Sequence, residues 1–96
     1  MIGYEDFEKV DIRVGRITRA EPFPEARKPA IKLWVDFGEG IGEKRSSAQI
    51  TRHYTPEGLV GRKVMSEVLV LGVPDAEGEV VLLTPDLDVP LGGRMF

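Results

Sequence analysis

Ninety-six residues with no cysteine, one histidine and a net charge of −3 make one domain with a single core, too small for an elaborate enzyme pocket with its own lid. Disulfides and thiolate metal sites are excluded. His53 has no cluster of carboxylates around it in sequence, so it reads as a surface residue on a turn, and no metal, cofactor or catalytic residue is assigned. No apolar run reaches the length of a membrane helix and the amino terminus carries no charged-then-apolar leader, which points to a cytoplasmic protein with no membrane insertion.

The net negative charge argues against indiscriminate nucleic-acid binding, because phosphate neutralisation is the source of such affinity. Its distribution softens that objection. Residues 13–63 hold eleven Lys and Arg against six acids, whereas from Val64 onward one Arg faces six acids. A barrel can turn this polarity into one basic face, although acids and bases are also locally interspersed as in an ordinary solvated surface.

Residues 4–9 read as one or two helical turns with an apolar stripe of Tyr4, Phe7 and Val10. A first strand over residues 10–21 alternates Val10, Ile12 and Val14 with Asp11 and Arg13, which directs Arg13 outward. The parity slips at Gly15, since the next apolar residues are Ile17 and Ala20, and the glycine there predicts a bulge or bend. Pro22, Pro24 and Pro29 bracket a loop, after which a second strand puts Ile31, Leu33, Val35 and Phe37 on one face and Lys32, Trp34 and Asp36 on the other. Trp34 on the polar face reads as a stacking platform for a base or an anchor for an apolar partner, against simple packing under a loop or across a subunit interface.

The glycines of GEGIG form a hairpin into a third strand over residues 44–50, with Ala48 and Ile50 inward and Arg45, Ser47 and Gln49 outward. YTPEGLVG, residues 54–61, predicts a short helix capped by Thr55 with Pro56 at its first position. Three further segments follow: residues 62–64, a strand over residues 66–72 (SEVLVLG) and another over residues 79–85. The last two are apolar on both faces, which suggests a buried subunit interface. VPLGGRMF ends the chain as a loop with an edge segment. Arg13, Lys32 and Arg45 with Ser47 and Gln49 form an outward polar patch without nucleophile–base spacing, and GEGIG, between antiparallel strands, is no phosphate-binding fingerprint.

In this order, FEKVDIRVG, FPEARKPAIKL, DFG, SSAQIT, YTPEGLVG, SEVLVLG and VVLLTPD resemble the CsaA-type chaperones of the tRNA-binding-domain superfamily. The resemblance covers nearly the whole chain. It implies an all-β fold, a five-stranded oligonucleotide/oligosaccharide-binding (OB-fold) barrel with a short N-terminal helix and a C-terminal strand extension, assembled as a homodimer. It also implies a non-enzymatic role in protein export, binding unfolded or exported polypeptides while keeping a tRNA-binding surface; the alternative is a tRNA-binding accessory protein without a chaperone role. On this reading Arg13, Lys32, Arg45, Gln49, Arg52, Lys63 and Ser66 face RNA and Trp34 faces peptide. The chain departs from the family after GRKV: a strand and a basic loop of about a dozen residues are expected between Val64 and Met65, so residues 1–96 read as a single domain with a segment missing and a chain break at that point.

Overall fold

The computed structural model describes residues 3–67 and 69–96. A short helix α1, Tyr4–Glu8, leads into strand β1, Arg13–Pro22; then come β2, Ile31–Asp36, and β3, Glu43–Ala48. Helix α2, Pro56–Leu59, precedes β4, Lys63–Ser66, β5, Gly72–Pro74, and β6, Val80–Leu82. The first four strands form one antiparallel sheet in the order β3-β2-β1-β4, and β5 and β6 form a separate two-stranded ribbon. Where the sequence leads one to expect a five-stranded barrel, the molecule has a curled four-stranded sheet with a ribbon beside it.

Alternation builds the core. Ile31, Leu33, Val35 and Phe37 are buried on one face of β2 and its continuation, against Ile17, Ile50, Leu59 and Val64, as a period-2 apolar pattern requires. The intervening Lys32, Trp34 and Asp36 are half-buried. Thr55 caps α2 by accepting the Gly58 N–H at 3.2 Å, with Pro56 at the start of the helix, and this turn inserts Leu59 into the core with no exposed surface.

β1 is the element that curls the sheet. Its first four residues pair with β4, from Arg13 opposite Ser66 to Arg16 opposite Lys63, and from Arg16 onward it pairs with β2. The bulge lies at Thr18, between Ile17 and Arg19, three residues beyond the expected position. Gly15 has a different task. A Cβ on it would stand 2.4 Å from Val35 Cγ1 and 3.0 Å from Phe37 Cε1, so the glycine permits close packing where β1 changes partners.

Two expected elements come out differently. Residues 66–72 are not one strand: after Ser66 the chain reverses, Ser66 bridges Val70, and the Leu71 N–H returns to the Met65 carbonyl at 2.9 Å. The Met65 N–H donates to the Leu83 carbonyl at 3.0 Å, which holds β4 beside the later chain. Val68, within the expected strand, lies outside the described residues, as do Met1 and Ile2. The C-terminal extension forms an isolated bridge from Arg94 to Arg13, with the Val14 N–H bonded to the Gly93 carbonyl at 3.0 Å and the Met95 N–H to the Ile12 carbonyl at 2.7 Å. Residues 64 and 65, where the sequence suggests an absent segment, are neighbours within β4, Val64 opposite Gly15 and Met65 opposite Val14. The stripe expected on α1 leaves Tyr4 and Val10 exposed.

Gly15→Ala should therefore cost about 1–3 kcal/mol, the usual penalty for overpacking a filled core, because Val35 and Phe37 are both buried and cannot swing outward. Urea denaturation of the two proteins measures it; a loss within 0.5 kcal/mol of zero contradicts the close-approach explanation.

Candidate nucleic-acid interface

The residues expected to face RNA fall into two electrostatic groups. Arg13, Arg52 and Lys63 have partners. Arg13 Nε donates to Asp11 Oδ1 and its Nη1 to the Gly92 carbonyl, both at 2.8 Å. Arg52 lies 3.8 Å from Glu77 Oε2. Lys63, its side chain only 16% exposed, donates to Asp88 Oδ1 at 2.6 Å and to the Val89 carbonyl, and this ammonium holds the Asp88 carboxyl below the usual carboxylate range. These three cations join separate segments of the chain.

Lys32 and Arg45 form the other group. Among the described residues neither has an acidic partner within 4 Å. Lys32 Nζ lies 4.9 Å from the Phe23 ring centroid, and Arg45 stands opposite Trp34 in the β2–β3 ladder. The two cations line one cleft of about 510 Å³ with Trp34, Ser46, Ser47 and Leu69. Arg45 also lines an adjoining cleft of about 410 Å³ with Arg13, Lys44 and Ser66. Ser66 is 1% exposed and its Oγ has no hydrogen-bond partner among the described residues. Gln49 is exposed and lines a third cleft with Ser47 and Leu69. Thus Lys32, Trp34 and Arg45 come together, Arg13 and Ser66 approach through Arg45, and Arg52 and Lys63 lie apart.

Sequence reasoning missed Arg19 and Lys44. Arg19 places its guanidinium 4.4 Å from the centroid of Trp34, a cation–π arrangement, and is itself paired to Glu21. The bulge at Thr18 creates this neighbour by setting Arg19 opposite Trp34; the odd spacing from Ile17 to Ala20 was its signal. Lys44 pairs opposite Val35 and so projects from the core-facing side of β3, yet it is exposed and unpaired among the described residues. No group of three or more His, Cys, Asp or Glu among those residues could hold a metal ion, and no helix is long and apolar enough to cross a membrane.

His53 lies on the expected turn and is tied down there. Its Nε2 is 2.7 Å from Asp75 Oδ2, and its ring meets Tyr54 edge-on. Asp75 also accepts the Glu77 and Glu79 N–H groups, closing the β5–β6 turn. The His53 bond, then these backbone bonds, pull the Asp75 carboxyl below its ordinary value.

A folded-state pKa below the unfolded one stabilises the protein above the ordinary carboxylate range, and that contribution is lost as pH falls through the depressed value. Asp75→Asn should accordingly lower stability at neutral pH. The difference from the unsubstituted protein should shrink below about pH 3.9, as measured by denaturation midpoints across a pH series; a constant difference would remove Asp75 ionisation as its cause.

The putative tRNA binding domain model matches residues 12–65. Chaperone CsaA from Bacillus anthracis superposes with a TM-score of 0.89 at 48% identity, covering 100% of this chain and 99% of that one. The CsaA chaperone protein from Picrophilus torridus gives 0.88 at 45% identity, with full coverage of both. A methionine--tRNA ligase from Methanococcus aeolicus is 38% identical over 99% of this chain, which spans only 16% of the ligase. That alignment runs over 110 residues although the chain has 96, so more than a dozen positions of the ligase have no counterpart here.

Proposed function

The chain belongs to the CsaA-type chaperones of the tRNA-binding-domain superfamily, and from that premise we propose that it is a chaperone-like export factor binding unfolded or exported polypeptides, with a tRNA-binding surface on the β2–β3 face. The observation that carries the RNA half is the meeting in one cleft, beside Trp34, of two cations that have no acidic partner among the described residues, Lys32 and Arg45. Cations without an acidic partner neutralise phosphates without first breaking an internal ion pair. On this reading Lys32, Arg45 and Gln49 touch RNA directly. Arg13, Arg52, Lys63 and Ser66 contribute at the margin, because the three cations among them already hold internal partners. Trp34 serves the peptide.

The wider proposal is of a single domain that lacks the segment expected between residues 64 and 65, working in the cytoplasm as a homodimer with no cofactor and no catalysis. The longer aligned span of the ligase supports the first point. Exposed apolar side chains such as Tyr4, Val73, Val81 and Phe96 support the second copy, since a monomer seldom leaves many such groups in water.

Replacing Lys32 and Arg45 together by Ala should weaken tRNA binding on every sequence tested. The slope of log affinity against log salt should fall by about one unit or less for each cation removed, with the thermal midpoint nearly unchanged. Arg13→Ala should do the reverse, lowering stability while changing the slope by less than either Lys32 or Arg45 does. Fluorescence titration over a salt series measures both, and unchanged affinity in a folded double variant moves the RNA site off this face. The tRNA-accessory alternative is separated by competition between tRNA and a reduced, unfolded polypeptide: only RNA binding should fall steeply with salt, and absent polypeptide binding leaves the accessory role.

A further inference from the structure

The four-stranded sheet ends at β3, whose outer edge pairs with no strand among the described residues. The Phe37 N–H donates to the Gly42 carbonyl at 3.0 Å just before the β2–β3 ladder. Antiparallel alternation then directs the N–H groups of Lys44, Ser46 and Ala48 toward β2 and those of Glu43, Arg45 and Ser47 away from it. No backbone hydrogen bond of these last three groups is found among the turns and loops of the described residues.

Facing this edge is a groove the length of a strand. The three clefts beside β3 are continuous: the 510 Å³ cleft shares Arg45 with the 410 Å³ cleft and Ser47 and Leu69 with the third. β3 and the residues following it form one wall; Ser66, Glu67 and residues 69–72 form the other. The far wall offers little backbone of its own, because the Glu67 and Leu71 N–H groups are already bonded to the Leu69 and Met65 carbonyls. The surface alternates in chemistry. Ile50, Val70 and Val80 make its deep part apolar, whereas Lys32 and Arg45 stand on the outer face of the sheet with no acidic partner among the described residues; of the acids lining the same clefts, Glu21 is held by Arg19 and Asp11 by Arg13, which leaves Glu67 on the far wall.

We infer that this groove binds an extended polypeptide segment as an additional strand hydrogen-bonded to β3, in which apolar residues alternate with acidic ones, the apolar side chains turned into the groove and the acidic ones toward Lys32 and Arg45. Backbone pairing supplies affinity without demanding a sequence, and the alternation supplies preference. The cations on the β3 side make an acidic strand the complementary occupant and a basic one the excluded occupant. The inference rests on the polypeptide-binding half of the proposed function and gives it a place, a backbone conformation and a pattern.

The probe is an acetylated, amidated heptapeptide alternating Glu and Val, titrated by Trp34 fluorescence, with two N-methylated forms, one on every Glu and one on every Val. N–H groups of alternate residues lie on the same edge of a strand. Exactly one methylated form should therefore lose binding, by about ten-fold or more, while the other stays close to the parent. Amide exchange at Glu43, Arg45 and Ser47 should slow when the parent peptide binds. Arg45→Glu, at an exposed position, should reverse the preference toward a Lys/Val peptide. If the peptide binds while both methylated forms bind equally and β3 exchange is unchanged, the groove assignment fails and the polypeptide reading stands. If neither this peptide nor a reduced, unfolded protein binds, both fail. Protection of the β3 edge that grows with protein concentration in the absence of peptide puts a second copy in the groove and overturns the inference.

Discussion

The change of partner within β1 is the constraint on which the rest of the molecule depends. One strand pairs with β4 through its first residues and with β2 through its later ones, which forces the sheet to curl and closes Ile17, Val35 and Val64 around a common centre. Two local features permit it. Gly15 lets the Val35 and Phe37 side chains approach to distances a Cβ would forbid, and the unpaired Thr18 lets the strand change facing so that Ala20 returns to the side of Leu33. The same bulge sets Arg19 opposite Trp34. A core-packing device thus also assembles the outer surface.

Charge pairing sorts that surface. Withdrawing a cation from water is costly unless it is paired, and Lys63 and Arg13 are paired by holding Asp88 and Asp11 while also bonding backbone carbonyls near the chain's end. They tie the later, acidic part of the chain to the earlier, basic part. The charge polarity along the sequence is therefore partly cancelled in three dimensions, while Lys32, Lys44 and Arg45 on β2 and β3 have no ion pair among the described residues. A net negative protein can present a locally positive face for this reason.

Much of this was legible because it rests on local pattern. The buried face of β2, the capped turn of α2 and the outward direction of Arg45 and Gln49 follow from period-2 alternation and from Thr-Pro chemistry. What was not legible depends on long-range pairing. That Arg13 is bound to the Gly92 carbonyl, or that Lys63 is held by Asp88, involves partners 79 and 25 residues away, with no periodicity between them. The reversal after Ser66 was hidden because SEVLVLG has the composition of a strand, whereas the turn shows only in the pairing of Ser66 with Val70 and of Leu71 with Met65. The unpaired edge of β3 was likewise invisible, because a strand's second neighbour is a property of the whole sheet.

Arg45 stands in both proposed interfaces, beside Trp34 on the outer face and on the wall of the groove. One guanidinium cannot neutralise a phosphate and an acidic peptide side chain equally well at the same moment, and the two ligands carry charge of the same sign. On the two proposals their binding is antagonistic on electrostatic grounds alone, without any change of fold. Antagonism of this kind is reciprocal: whatever factor RNA imposes on peptide affinity, peptide imposes on RNA. It is also screened by salt, so the coupling weakens under the conditions that weaken RNA binding itself. On the two proposals, Arg45, which has no acidic partner among the described residues, links RNA and peptide, whereas the paired Arg13 and Lys63 fasten the frame that presents it.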